Sequence, residues 1–233
     1  MNRRFVLRAM TSGLAITSVQ NLLPKGFAQT NQDLPGLLTA ERGSRIAISI
    51  FHTEQSIQPS LIKSLAARFV GTPGRGWSAA LLASVDGTRA IVYKSGPPGP
   101  ENAPIEDQTR IGTISEAHEY EMIYLSQKSN GKELSIATGA SPITLINAFS
   151  TSPDRQQQPV ATWIRNAPDA EAFPRFEAAV LHRSSDGTSV VNFARWQSQE
   201  AWMTMAKALS NKFREKNPLG QADPHLYRTV CAS

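Results

Sequence analysis

The chain has 233 residues, 40% of them hydrophobic and 18% charged, a composition that supports a buried core and one or two domains. Its net charge is +5, but Arg3, Arg4, Arg8 and Lys25 all lie ahead of Ala28 with no acid among them, which leaves +1 for the rest. A near-neutral body carries neither the basic footprint of a nucleic-acid binder nor a polybasic membrane patch.

Residues 1–28 read as an export signal. Met1 to Arg8 form a basic stretch, Ala9 to Leu23 a weakly apolar one, and Gly26-Phe27-Ala28 places small residues where a signal peptidase cuts. Arg3-Arg4, followed by Phe5, Val6, Leu7 and Arg8, resembles a twin-arginine signal. Thr11, Ser12, Gly13, Thr17, Ser18 and Gln20 interrupt the apolar run well short of the ~20 residues that span a bilayer. The expectation is a cleaved, periplasmic or secreted protein with no membrane anchor left after cleavage. Gln29 to Gly43, polar and broken by Pro and Gly, reads as a linker.

The remainder contains an internal repeat, over about residues 44–130 and 141–233. Ala79 to Thr88 aligns with Ala179 to Thr188, both ending in Ser-x-Asp-Gly-Thr: Ser84-Val85-Asp86-Gly87-Thr88 and Ser184-Ser185-Asp186-Gly187-Thr188. Asp-Gly between apolar runs is a hairpin signal, because Gly accepts the positive φ of the turn. Ile48 to Thr53 matches Ile146 to Thr151, and His118 to Ile123 matches His225 to Val230. The three pairs keep their order and nearly the same separation.

Helices fall between the strands. Ile57, Leu61, Ile62, Leu65 and Phe69 follow helical spacing after Ser56 as N-cap, and so do Val160, Trp163, Ile164 and Ala167. A further helix begins at Ser198, with Trp202, Met205, Ala206, Leu209 and Phe213 on one face. The corresponding place in the first unit holds Gly96-Pro97-Pro98-Gly99-Pro100, where prolines forbid a helix. Each unit is therefore an α+β, ferredoxin-like module, an antiparallel sheet with helices on one face. The uncovered faces are expected to pack on each other as a pseudo-dimer within the chain, or between two chains as a homodimer.

Ile143 to Phe149, the turn Ser185 to Thr188, Val190 to Trp202 with its Asn-Phe-Ala-Arg-Trp core, and Asp223-Pro224-His225-Leu226-Tyr227-Arg228 resemble the antibiotic biosynthesis monooxygenase (ABM) family. The resemblance covers residues 142–230 well and 45–128 loosely. It implies a dimeric α/β-barrel assembly of ferredoxin-like modules. For some members it implies oxidation of small aromatic or quinol substrates by molecular oxygen with no added cofactor; others degrade haem. Haem-degrading relatives carry a His on the helix after the Trp, and Gln197 to Phe213 contains none.

Oxygenation without a cofactor needs a group that favours a substrate anion, aromatic walls, and exclusion of water. Asn147 and Trp196 match positions of a pocket Asn and Trp in active relatives and are the candidate catalytic residues. Phe149, Asn192 and Trp202 are candidates for the pocket wall. The alternative is that Asn147 satisfies a backbone group at the barrel closure and that Trp196 is core. Repeat one has Ser49 opposite Asn147 and Gly96 opposite Trp196, which assigns any pocket to repeat two. Arg195 could attract an anionic oxygen but reads better as a solvated strand-end charge, His182 could serve as a general base but reads better as a surface or structural His, and Trp202 reads better as core. His52, His118, His182 and His225 form no short ligand pair, so no metal is expected. Cys231, the one cysteine, reads as an inert thiol on a strand. Two functions remain open: a cofactor-independent monooxygenase, or an exported binding or interaction protein that keeps the fold without the chemistry.

Overall fold

The computed structural model describes residues 45–69, 78–96, 113–127, 143–215 and 221–232. The signal and linker, the proline-rich stretch 97–100, and the side chains of Phe69 and Phe213 lie outside the described residues. One half of the chain forms β1 (Arg45–His52), α1 (Gln58–Phe69), β2 (Ser78–Ser84), β3 (Arg89–Gly96) and β4 (Thr113–Gln127). The other forms β5 (Ile143–Ser150), α2 (Gln157–Glu171), β6 (Phe176–Ser184), β7 (Ser189–Trp196), α3 (Gln199–Glu215) and β8 (Gln221–Ala232).

The eight strands pair antiparallel in a closed ring, β1-β3-β2-β8-β5-β7-β6-β4, with β4 returning to β1. Each half keeps the same internal order, β4-β1-β3-β2 and β8-β5-β7-β6, which is that of a ferredoxin-like module. The registers also correspond. Ser49 stands opposite Val92 as Asn147 stands opposite Asn192, and Ile48 opposite His118 as Ile146 opposite His225. These ladders preserve the separations of the sequence repeat.

Two strands bind the halves together. β4 pairs with β1 as far as Tyr120 and from Tyr120 onward with β6. β8 pairs with β5 as far as Tyr227 and from Tyr227 onward with β2. The sheets are thus joined edge to edge in one ring, a closer union than two stacked sheets, and no strand of the ring is left with an open edge.

Alternation along each strand sorts side chains to two faces. Ile46, Ile48, Ile50, Leu82, Ile91, Tyr93, Tyr120, Val180, Val191, Phe193 and Tyr227 fill the interior. The outward face carries the helices. Leu61, Ile62 and Leu65 of α1 cover Phe51, Leu81 and Val92 of the first half. On the second half, Val160 of α2 packs on Phe149, Leu181 and Val190, while Ala201 and Met205 of α3 pack on Leu145, Ala194 and Trp196. Ile57 and Ile164 are exposed rather than packed. Ile57 belongs to the turn before α1, and Ile164 lies a helical step past Val160, Trp163 and Ala167, beyond the sheet-facing arc.

The two Asp-Gly turns are built alike. Gly87 and Gly187 have φ of +79° and +81°, and a Cβ on Gly187 would come within 2.7 Å of Pro153 Cα. Asp86 Oδ1 accepts hydrogen bonds from Thr88 N, Thr88 Oγ1 and Ser84 Oγ, and Asp186 Oδ1 from the corresponding atoms of Thr188 and Ser184. Ser198 caps α3, its Oγ accepting from Ala201 N at 3.2 Å.

Candidate functional site

The outward face of the second half is arranged in cross-strand rows. One row runs Tyr124 (β4), Leu181 (β6), Asn192 (β7), Asn147 (β5) and Pro224 (β8), each directly opposite the next. Directly paired residues share a face, so Asn147 and Asn192 stand side by side, with Cα atoms roughly 5 Å apart, on the side covered by the helices. Trp196 lies on the same face four residues further along β7. It has no exposure, and its ring packs edge-on against Phe176 with centroids 5.2 Å apart.

Three buried polar side-chain atoms lack a hydrogen-bond partner among the described residues: Asn147 Oδ1, Asn192 Oδ1 and Trp196 Nε1. All three belong to this face. An unpaired buried carbonyl or N–H costs about 1–3 kcal/mol, so folds tolerate few of them. The Asn pair also divides the apolar layer. Leu145, Ala179, Ala194 and Trp196 form one cluster on one side of it, and Phe149, Leu181 and Val190 a second cluster on the other. Trp163 of α2 packs against both clusters from the helix layer.

The corresponding face of the first half has no such division. Ser49 and Val92 occupy the places of Asn147 and Asn192, Gly96 that of Trp196, and Leu65 that of Trp163. There Phe51, Leu61, Leu65, Leu81, Ala90 and Val92 make one continuous apolar cluster.

The remaining sequence candidates separate. Phe149 is 3% exposed and packs in the cluster of Val160, Leu181 and Val190; Trp202 is half-buried on α3 and packs against the cluster of Trp196. Arg195 is not a free strand-end charge, because its guanidinium is paired with the half-buried Glu177. His182 lies in the barrel interior, on the other side of the sheet from Asn147. Its Nδ1 lies 3.2 Å from Val191 O and its Nε2 3.2 Å from the Tyr93 hydroxyl; burial, only partly opposed by the Val191 bond, brings its pKa down to about 4. At neutral pH it is an uncharged imidazole enclosed in the barrel interior. Cys231 packs against the α1 cluster, where burial pushes its thiol pKa up.

A polar cluster that the sequence reading does not single out lies at the turns. His225 reaches Asp86 Oδ2 at 2.6 Å and Asp223 Oδ1 at 2.9 Å, and Arg89 holds Asp223 at 3.1 Å. His118 reaches Asp186 Oδ2 at 2.7 Å in the corresponding place of the other half. Each pair joins the last strand of one half to the Asp-Gly turn of the other. The matched places of these His and Asp residues in the two repeats are the available signal. Among the described residues no three His, Cys, Asp or Glu side chains are placed to hold a metal ion.

No family model matches the chain. The tetracenomycin-F1 monooxygenase of Streptomyces glaucescens is 33% identical over 63 residues, 27% of this chain and 56% of that protein. The chain therefore spans about half the length of the curated relative it matches. Among solved structures, an anthrone oxidase-like protein superposes with a TM-score of 0.66 at 19% identity, over 83% of this chain and 94% of its own. A Fusobacterium nucleatum protein described as a candidate monooxygenase superposes with a TM-score of 0.53 at 9% identity, over 82% and 94%. The chain thus shares its fold with proteins described as monooxygenases, and its local sequence is similar to one of them.

Proposed function

We propose that the protein is an exported, two-module member of the ABM family, and that it oxygenates a fused aromatic phenol or quinol with molecular oxygen and no added cofactor. The two halves are tandem copies closed on each other as an intramolecular pseudo-dimer, and the site lies on the helix face of the second. The observation that carries this reading is the trio of unpartnered buried atoms, Asn147 Oδ1, Asn192 Oδ1 and Trp196 Nε1, at positions filled by Ser49, Val92 and Gly96 in the first half.

The chemistry follows from the residues. A phenolate or enolate ligand supplies the electrons for oxygen itself. In turning a ring CH2 into a carbonyl, one oxygen atom stays on carbon and the other leaves as water, so the electrons balance without an external reductant. The protein's part is to hold the anion and exclude water. Each Asn side chain can turn its amide to present N–H or C=O, so the pair adapts to a hydroxyl or an oxyanion. Trp196 offers one further N–H donor. The Asn pair and Trp196 are four residues apart on β7, roughly 13 Å at Cα, which suits a fused ring system better than a single ring.

The competing reading is a carrier, favoured by the placement of His182 on the far side of the sheet, away from the row of Asn147. Oxygen uptake and tryptophan fluorescence with 1,8-dihydroxyanthrone separate the two. Oxygen uptake lost in Asn147→Ala and Trp196→Ala supports the enzyme, and binding without uptake supports the carrier. Loss of one hydrogen bond to a charged oxygen is expected to cost about 1.5–3 kcal/mol, a tenfold to hundredfold change. Binding unchanged in both variants would place the site elsewhere.

A further inference from the structure

We propose that Tyr124, a residue of the first half, completes the ligand site of the second half and, with Glu171, forms a mouth selective for ligands that carry a neutral hydroxyl. This rests on the reading that the site lies along the row of Asn147 and Asn192. Tyr124 stands in that same row, opposite Leu181, which is itself opposite Asn192. Two strand spacings separate Tyr124 from Asn192, roughly 10 Å at Cα. Its ring meets Trp163 edge-on with centroids 5.2 Å apart, and Trp163 packs against the apolar clusters on both sides of the Asn pair. The Tyr124 hydroxyl donates to Glu171 Oε1 at 2.8 Å, at the last residue of α2.

The hydroxyl's single hydrogen is therefore committed to a carboxylate; the Ser126 side chain donates to the same oxygen, and the remaining lone pair is left as an acceptor. An acceptor backed by a negative carboxylate favours a ligand O–H and disfavours a ligand oxyanion. The opposite end of the row, with its amides and the Trp196 N–H, can hold the oxyanion. Burial and the Glu171 bond, only partly opposed by the Ser126 bond, also raise the Tyr124 pKa, so the phenol stays protonated at neutral pH. In the first half the position corresponding to Tyr124 is Cys231, opposite Leu81, with no phenol and with Leu65 in place of Trp163. The polar groups on the helix face thus gather on one half, and one of them is supplied across the β4–β6 seam.

The test compares 1,8-dihydroxyanthrone with anthrone, which lacks the ring hydroxyls, by tryptophan fluorescence on the full chain. The wild type is expected to prefer the dihydroxy ligand by about fivefold, the ratio of one hydrogen bond. Tyr124→Phe keeps the ring against Trp163, and Glu171→Gln keeps the shape but removes the charge. Both should reduce the preference to near unity in variants that still melt cooperatively. Preference retained in both folded variants overturns the assignment of Tyr124. If it is retained while Asn192→Ala abolishes binding, the site reading survives and only the mouth is wrong. If the wild type binds neither anthrone, both proposals fall.

Discussion

Asn192→Val should stabilise the protein while removing the proposed ligand site. Asn192 is 6% exposed, and its Oδ1 has no partner. Valine is somewhat larger than asparagine but already fills the same register position in the first half, where Val92 is 1% exposed within an unbroken apolar cluster. Removing one unpaired buried carbonyl relieves about 1–3 kcal/mol. Imperfect fit of the branched side chain offsets part of this, which leaves a gain of about 1–2 kcal/mol. For a domain of this size each kcal/mol moves the melting temperature by about 2–4 °C, so a rise of about 2–8 °C is expected. The assay is calorimetric or urea melting of the ligand-free protein at neutral pH, with 1,8-dihydroxyanthrone binding measured in parallel. The reciprocal change, Val92→Asn, should destabilise by about 1–3 kcal/mol. A fall in melting temperature for Asn192→Val would refute the reasoning, since it would mean that the amide is paired and structural.

The turn cluster predicts a pH dependence. Burial alone would lower the pKa of His225, but its hydrogen bonds with Asp223 and Asp86 outweigh burial and lift it to about 9. Asp223, which burial alone would raise, is brought down to about 2 by the hydrogen bond with His225 and by the charges of His225 and Arg89. The His225 contribution is therefore complete below its ordinary pKa of about 6.5 and is lost as pH rises through about 9. The carboxylate contribution is present above about 4 and is lost as pH falls through about 2. Because the Asp86 and Asp223 side chains are 44% and 41% exposed, solvent screening limits the His225 part to roughly 1–2 kcal/mol. The stability difference between wild type and His225→Asn should be largest near pH 5–6 and small above pH 10 in urea melts; a pH-independent difference would contradict the ion-pair account. For export, changing Arg3 and Arg4 to Lys should retain the protein in the cytoplasm with its signal intact, checked by fractionation and N-terminal sequencing. Normal export of that variant would exclude the twin-arginine route.

The parts of the fold written in local chemistry are legible in the sequence. Ser-x-Asp-Gly-Thr announces its turn because Asp caps the following Thr and Gly takes the positive φ, all within one short motif. Asn147 can be placed on the face of Leu145 and Phe149 because alternation along a strand needs no partner. Which residue stands opposite it is not legible. That depends on the β5–β7 register, and the Asn147–Asn192 pair emerges only when two strands separated by a helix and a third strand are aligned. Arg195 is misread from sequence alone for the same reason, since its partner Glu177 comes from the neighbouring strand. Tyr124 is the extreme case. It belongs by sequence to the first half, and nothing local indicates that β4 continues beyond its own sheet.

The course of β8 bears on how the barrel can be assembled. Residues 221–227 pair with β5 and residues 227–232 with β2, so the eighth strand is the piece that joins the two arcs on that side. A chain synthesised only as far as β7 holds seven strands whose β2 and β5 edges are both bare, the kind of template on which other chains add strands. Closure by the final strand makes the slowest contacts, those that reach from β8 back to β2 near the start of the barrel, a condition for the ring. Until that strand is released from the ribosome, the nascent protein must be shielded at two edges, and truncation before residue 221 should yield an associating species in place of a smaller stable barrel.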